Sequence, residues 1–156
     1  MSCLSDLHQA VAELTAAISS QPLDEALQTR LNREFPAGSP LLQRIRAACD
    51  QGVAEGLMCQ REAGGIRYGR LFKPEEALQG FSVDLVDMQD IAGPHHVHPL
   101  GEIDLLMPLD PEASFDGHTA PWVVYGPGSA HRPTVRGGRA RVLYLLPQGL
   151  IEFSRS

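Results

Sequence analysis

Along the first 55 residues the apolar positions fall at helical spacing. Leu4, Leu7, Val11, Leu14 and Ile18 recur at steps of 3, 4, 3 and 4, which puts them on one helix face. Ser20-Gln21-Pro22 stops that helix, and Leu23, Leu27 and Leu31 repeat at i+4 up to Phe35-Pro36. Ser39-Pro40 offers a cap and a first-turn proline for a third helix. Leu42, Ile45, Cys49 and Val53 carry it to Gly52 or Gly56. The pattern predicts a three-helix segment over residues 1–56, packed on the rest of the chain or on a partner.

From Leu57 onward the apolar runs shorten and glycine and proline separate them. Predicted strands are Leu57–Arg61, Ile66–Phe72, Phe81–Gln89, Glu102–Pro108, Trp122–Tyr125 and Arg139–Leu146. The breakers are Gly64-Gly65, Gly93-Pro94, Gly126-Pro127-Gly128 and Gly137-Gly138. Short strands at this spacing predict a mainly β second half, 57–156, built as a sandwich or small barrel, and a jelly roll fits.

Composition narrows the function classes. The 13 basic and 19 acidic residues give a formal charge of −6, the wrong sign for binding a nucleic-acid backbone. Three short helices before strands also suit a winged helix, but no basic recognition helix is present. No apolar run approaches the roughly 20 residues that span a bilayer. The start of the chain carries Asp6 and Glu13 and no basic n-region, so a cytoplasmic protein is expected. Cys3, Cys49 and Cys59 follow no close ligand spacing and are expected as reduced, apolar filler.

The chemistry gathers in one region. Of six histidines, five lie between positions 95 and 131. His96 and His98 are two apart, so in an extended segment both imidazoles leave the same face. Pro99 and Gly101 allow a tight turn, after which Glu102 opens the next strand. Two imidazoles and a carboxylate can converge there, a set suited to borderline divalent metals. Gly126-Pro127-Gly128-Ser129-Ala130-His131 adds a turn and a fourth possible ligand. His95 is expected to face outward and His118 to be solvated.

This arrangement resembles the cupin superfamily: His96, His98 and Glu102 match its His-x-His-x3-Glu motif, and Gly128 with His131 its second motif. The resemblance implies a cupin-type jelly roll, commonly a homodimer. It also implies a divalent transition metal (iron, manganese, zinc, nickel or cobalt) on His96, His98, Glu102 and His131. A closer likeness lies in Gly64–Arg70, Gly101–Leu105, Gly126–Thr134 and Leu145–Gly149, with Gln21-Pro22-Leu23 and Gly52–Gly56 in the helical part. These segments are similar to the bacterial 4-hydroxylaminobenzoate lyases of nitroaromatic degradation. The resemblance implies conversion of 4-hydroxylaminobenzoate and water to 3,4-dihydroxybenzoate and ammonia.

Residues can be matched to that chemistry. Asp104 shares a strand face with Glu102 and is expected in the barrel as a proton shuttle or a group orienting the ligands. The substrate carboxylate invites an arginine: Arg67, Arg70 and Arg132 are candidates, with Arg67 and Arg70 on opposite faces of a regular strand. Tyr125, with Tyr68 and Tyr144, is a possible phenol donor. A cupin dioxygenase and a non-catalytic aromatic-acid-binding cupin are the competing readings. Oxygen consumption separates the first from a lyase, and binding without ammonia release separates the second.

Overall fold

The structure is a computed structural model that describes residues 2–154. Three helices come first: α1 (Cys3–Ala17), α2 (Glu25–Glu34) and α3 (Pro40–Ala54). Ser2, Asp24 and Ser39 cap their N-termini by accepting the backbone N–H of Ser5, Leu27 and Leu42. Each such cap is worth about 1 kcal/mol. The expected stripe is the buried one, with Leu7, Val11, Leu14, Leu27, Leu31, Leu42, Ile45 and Cys49 all in the core.

Ten strands follow: β1 (Arg61–Ala63), β2 (Ile66–Phe72), β3 (Phe81–Ala92), β4 (His96–His98) and β5 (Glu102–Pro108). They continue with β6 (Ser114–Phe115), β7 (Trp122–Tyr125), β8 (Ser129–His131), β9 (Thr134–Pro147) and β10 (Glu152–Phe153). All pair antiparallel. The large sheet runs β1-β2-β3-β9-β5-β7, with β6 beside β9; the small sheet runs β10-β4-β8. The fold is a cupin-type jelly roll with a helical preface.

Strand parity divides the large sheet between two jobs. Val83 and Leu85, Ile103 and Leu105, and Leu143 and Leu145 point at the helices and share one core with them. Their neighbours Met88, Leu106, Val142 and Tyr144 point the other way, into the lumen between the sheets. Helix α2 also finishes the edge strand β7. Asn32 accepts from the Trp122 N–H at 2.9 Å and donates to its carbonyl at 3.0 Å, and Gln28 accepts from the Val124 N–H at 2.8 Å. These bonds occupy backbone groups that an edge strand would otherwise offer to another chain.

Two expectations for the strands are corrected. Leu57–Arg61 is not a strand: Cys59 sits at φ +56, and pairing starts only at Arg61. Met58 and Cys59 instead drop into the helix–sheet core. Gly137-Gly138 does not break the last strand but lies inside β9, where Asp90 accepts both backbone N–H groups. A Cβ at Gly137 would meet the Glu112 carbonyl oxygen at 2.3 Å, so only glycine lets the chain pass there.

Candidate metal centre and cavity

The small sheet delivers the histidines. In β4, His96 and His98 are buried on the same side, and β8 places His131 directly opposite His96. Gly101, at φ +94, turns the chain from β4 into β5, and a Cβ there would lie 2.7 Å from the Tyr125 carbonyl oxygen. The turn brings Glu102 beneath the imidazoles. His98 Nε2 lies 3.1 Å from Glu102 Oε2, His131 Nε2 3.5 Å from the same oxygen, and His96 Nε2 3.6 Å from Oε1. One ligand atom from each of the four residues falls within 4.8 Å of all the others.

Each imidazole is tied down at its far nitrogen. His96 Nδ1 faces the Pro94 carbonyl at 3.4 Å, His98 Nδ1 the Ser129 hydroxyl at 3.0 Å, and His131 Nδ1 the Asp116 carboxylate at 2.6 Å. The Ser129 hydroxyl donates to the Gly126 carbonyl at 2.6 Å, so its oxygen accepts from His98 Nδ1–H. All three rings therefore aim Nε2 at Glu102. His98 Nε2 and both Glu102 oxygens find no hydrogen-bond partner among the described residues. Buried polar atoms without partners are costly, and a divalent cation satisfies this donor set.

Charge in the cluster follows from burial and neighbours. Burial works to raise the Glu102 carboxyl, but the imidazoles of His131, His96 and His98 outweigh it and hold it well below the usual carboxylate range. Asp104 behaves oppositely: burial, then the charge of Glu102, push its carboxyl well above that range. The two neighbouring carboxyls are thus driven in opposite directions. Burial lowers His131, yet Asp116 and then Glu102 raise it to about 9. With Nδ1–H committed to Asp116, the proton His131 can release is the one facing the cluster.

A cavity of about 650 Å³ opens beside this centre. That volume suits a small ligand. His96 reaches its wall, together with Tyr68, Arg70, Asp84, Met88, Tyr144 and Phe153. Arg70 makes a two-point pair with Asp84, at 2.9 and 3.2 Å, and also donates to the Gly149 carbonyl. Burial raises the Asp84 carboxyl, with Arg70 opposing. Tyr144 is pushed well above the usual phenol range by burial, then by Glu102, so its hydroxyl stays protonated.

The other sequence candidates are placed elsewhere. Arg67 is off the cavity wall, on the opposite strand face from Arg70, donating to the Cys59 carbonyl. Arg132 is exposed and donates to the Gly93 carbonyl. The Tyr125 hydroxyl is committed to Asp116 at 2.5 Å. Asp104 is fully buried and does not line the cavity. His95 bonds the Ser154 hydroxyl, and His118 is exposed in its loop. Sequence reading missed Arg61, Asp84 and Asp116. The Asp116-Gly117 pair was a readable turn signal, and Arg61 shares a face with Tyr68 through β1–β2 pairing.

A family model described as PnbB: 4-hydroxylaminobenzoate lyase matches residues 9–153. The chain belongs to this family. The 4-hydroxylaminobenzoate lyase of Nocardioides sp. (strain LMS-CY) is 32% identical, covering 98% of this chain and 96% of that one. The enzyme of that name from Pseudomonas putida is 28% identical, covering 90% of each. A solved structure of the DMSP lyases RdDddP and RnDddQII has the same fold, at 17% identity, a TM-score of 0.53 and 98% coverage of each chain. Membership of the 4-hydroxylaminobenzoate lyase family makes the chain an enzyme of the lyase class. Among the described residues no helix is long and apolar enough to cross a membrane.

Proposed function

We propose that the chain converts 4-hydroxylaminobenzoate and water to 3,4-dihydroxybenzoate and ammonia. His96, His98, Glu102 and His131 hold a divalent transition metal for that reaction. The observation that carries this reading is the set of three imidazoles, each tied at Nδ1 and each turning Nε2 toward one buried carboxylate beside a substrate-sized cavity. When bound there, the ion supplies Lewis acidity toward an oxygen of the substrate or of water. The reaction balances without oxidant or reductant: nitrogen leaves as ammonia, and two adjacent ring carbons end with oxygen.

The chain's own groups supply the rest. Tyr68, Met88 and Phe153 give the aromatic ring apolar contact on the cavity wall. Tyr144 offers a protonated phenol there as a hydrogen-bond donor toward the departing oxygen. Asp84, with its carboxyl raised by burial, is the wall group able to hold or pass a proton at the ring. Asp104, whose carboxyl is raised by burial and by Glu102, serves as the proton reserve behind the cluster. Arg61 lines the cavity and makes no ion pair among the described residues, so it receives the substrate carboxylate; Arg70 keeps Asp84 in place. The proposal includes a cytoplasmic homodimer, on the resemblance to cupin barrels that pair.

The test is anaerobic incubation of metal-loaded protein with 4-hydroxylaminobenzoate, followed by assay of both products. Equal amounts of ammonia and 3,4-dihydroxybenzoate are expected. Turnover that requires oxygen would replace the lyase with an oxygenase. Saturable binding with no ammonia would replace it with a binding protein.

A further inference from the structure

Asp116 lies one hydrogen bond behind the cluster. Its Oδ2 accepts from His131 Nδ1 at 2.6 Å and from the Tyr125 hydroxyl at 2.5 Å, and its Oδ1 accepts from the Thr134 backbone N–H at 2.8 Å. The three donors come from three strands. Tyr125 (β7) and Thr134 (β9) belong to the large sheet, and His131 (β8) to the small one. In the β5–β7 register Tyr125 stands directly opposite Glu102. The path from Glu102 across to Tyr125, through Asp116 and on to His131 therefore closes a ring around the cluster and joins the two sheets at that point.

The other two imidazoles are held by neutral oxygens, His96 by a carbonyl and His98 by a hydroxyl. His131 is held by a carboxylate, and both side chains are nearly buried, at 10% and 12% exposure. Charge-assisted bonds are shorter and about twice as strong as neutral ones. The backbone is shaped for the contact as well: Asp116 takes φ +49 before Gly117 at φ +80, a turn that aspartate tolerates better than most residues. An imidazole that loses such a partner is free to rotate or to present its other nitrogen.

We propose that Asp116 is the positioning residue of the metal centre, fixing His131 with Nε2 toward Glu102 and His96, while the Tyr125 hydroxyl holds Asp116 in place. This rests on the reading of the four-residue cluster as a metal seat, and it assigns Tyr125 to the scaffold instead of the substrate. The test is cobalt(II) affinity, by competition with a chromophoric chelator, for the parent, Asp116→Ala, Asp116→Asn, Tyr125→Phe and the Asp116→Ala/Tyr125→Phe double variant. Asp116→Ala weakens binding about 10- to 100-fold. Asp116→Asn loses less, because its amide oxygen still accepts from His131.

Tyr125→Phe also weakens binding, but it adds nothing once Asp116 is gone, because the tyrosine acts through that carboxylate. The visible bands of bound cobalt shift in Asp116→Ala and return toward the parent's in Asp116→Asn. An Asp116→Ala affinity within about twofold of the parent's overturns the assignment. So do additive losses in the double variant, which would make the two residues independent packing groups. If Asp116→Ala does not fold, Asp116→Asn and Tyr125→Phe carry the same comparison. A parent that takes up no cobalt overturns the underlying metal reading, and that result is seen before any variant is compared.

Discussion

His96 and His131 face each other across β4 and β8 with their Nε2 atoms 3.1 Å apart, while each ring is tied to an oxygen at Nδ1. Two imidazole lone pairs do not rest at that separation unless a proton or a cation lies between them. Cross-strand pairing thus enforces what sequence spacing alone only permits. The fourth ligand candidate, 29 residues after Glu102, is brought into register by backbone hydrogen bonds and not by a local motif.

Glu102 and Asp104 should separate on substitution. Glu102→Gln removes the charge at the centre of the cluster, so metal content after dialysis falls and added metal restores part of the activity. Asp104→Asn keeps the shape of the side chain and leaves the four residues of the cluster untouched, so metal content stays near the parent's. Ammonia release per metal-loaded site then falls about 100-fold or more if Asp104 is the proton reserve. Parental turnover in Asp104→Asn would reduce the residue to packing.

The arginines should differ in the same way. Arg61→Met raises KM for 4-hydroxylaminobenzoate about 10-fold or more, the value of a charged hydrogen bond of roughly 1.5–3 kcal/mol, with little change in kcat. It leaves the KM of phenylhydroxylamine, which lacks the carboxylate, unaltered. Arg67→Met changes neither. Arg70→Met affects both kcat and KM, because it strands Asp84 without its partner. Steady-state kinetics on both substrates decides, and equal KM effects in Arg61→Met and Arg67→Met would move the substrate out of this cavity.

Tyr144→Phe keeps the ring that packs against Phe115 and removes only the hydroxyl. Metal content and KM stay near parental values while kcat falls, by about 10- to 1,000-fold if the phenol donates in the rate-limiting step. A normal kcat in Tyr144→Phe returns that proton to Asp84, and Asp84→Asn would then show the loss.

An ion-pair network joins α3 to the sheet, buried at Asp87 and Arg141 and half-exposed at Asp50. Arg141 bonds Asp50 of α3 and Asp87 of β3, and Arg139 makes a second, two-point pair with Asp87. Burial works to raise the Asp87 carboxyl, but Arg139 and then Arg141 outweigh it, so its folded pKa lies below the unfolded value. The resulting stability is therefore present above about pH 4 and is lost as pH falls through the folded pKa. Asp87→Asn is expected to cost about 3 kcal/mol at pH 7, and the gap to the parent should close toward pH 3. Denaturant titrations at pH 7, 5 and 3 measure it, and a gap independent of pH would assign the loss to packing.

The three helices were legible because each writes one apolar stripe, and β2, β5 and β7 were legible because their ends are punctuated. The four-residue cluster was legible because three of its four members sit within seven residues. What stayed hidden depends on distant partners. The segment before Arg61 looked like a strand because Leu57, Met58 and Cys59 are apolar, yet they serve the helix interface through a left-handed turn. Gly137-Gly138 looked like a stop, although Asp90, 47 residues earlier, holds both inside a strand. Asp116 carries no local sign of its three donors, which arrive from β7, β8 and β9.

Alternation along β3 and β5 has an evolutionary corollary. Substitutions at Val83, Leu85, Ile103 or Leu105 touch the helix interface, and those at Asp84, Val86, Glu102 or Asp104 touch the cavity wall or the buried cluster, so the two faces can drift on separate sets of codons. A single-residue insertion or deletion in either strand has no such freedom. It would exchange the two faces at once, turning carboxylates toward the helices and leucines toward the lumen. Length variation among relatives should therefore collect in the connections between strands, with β3 and β5 kept to a constant residue count.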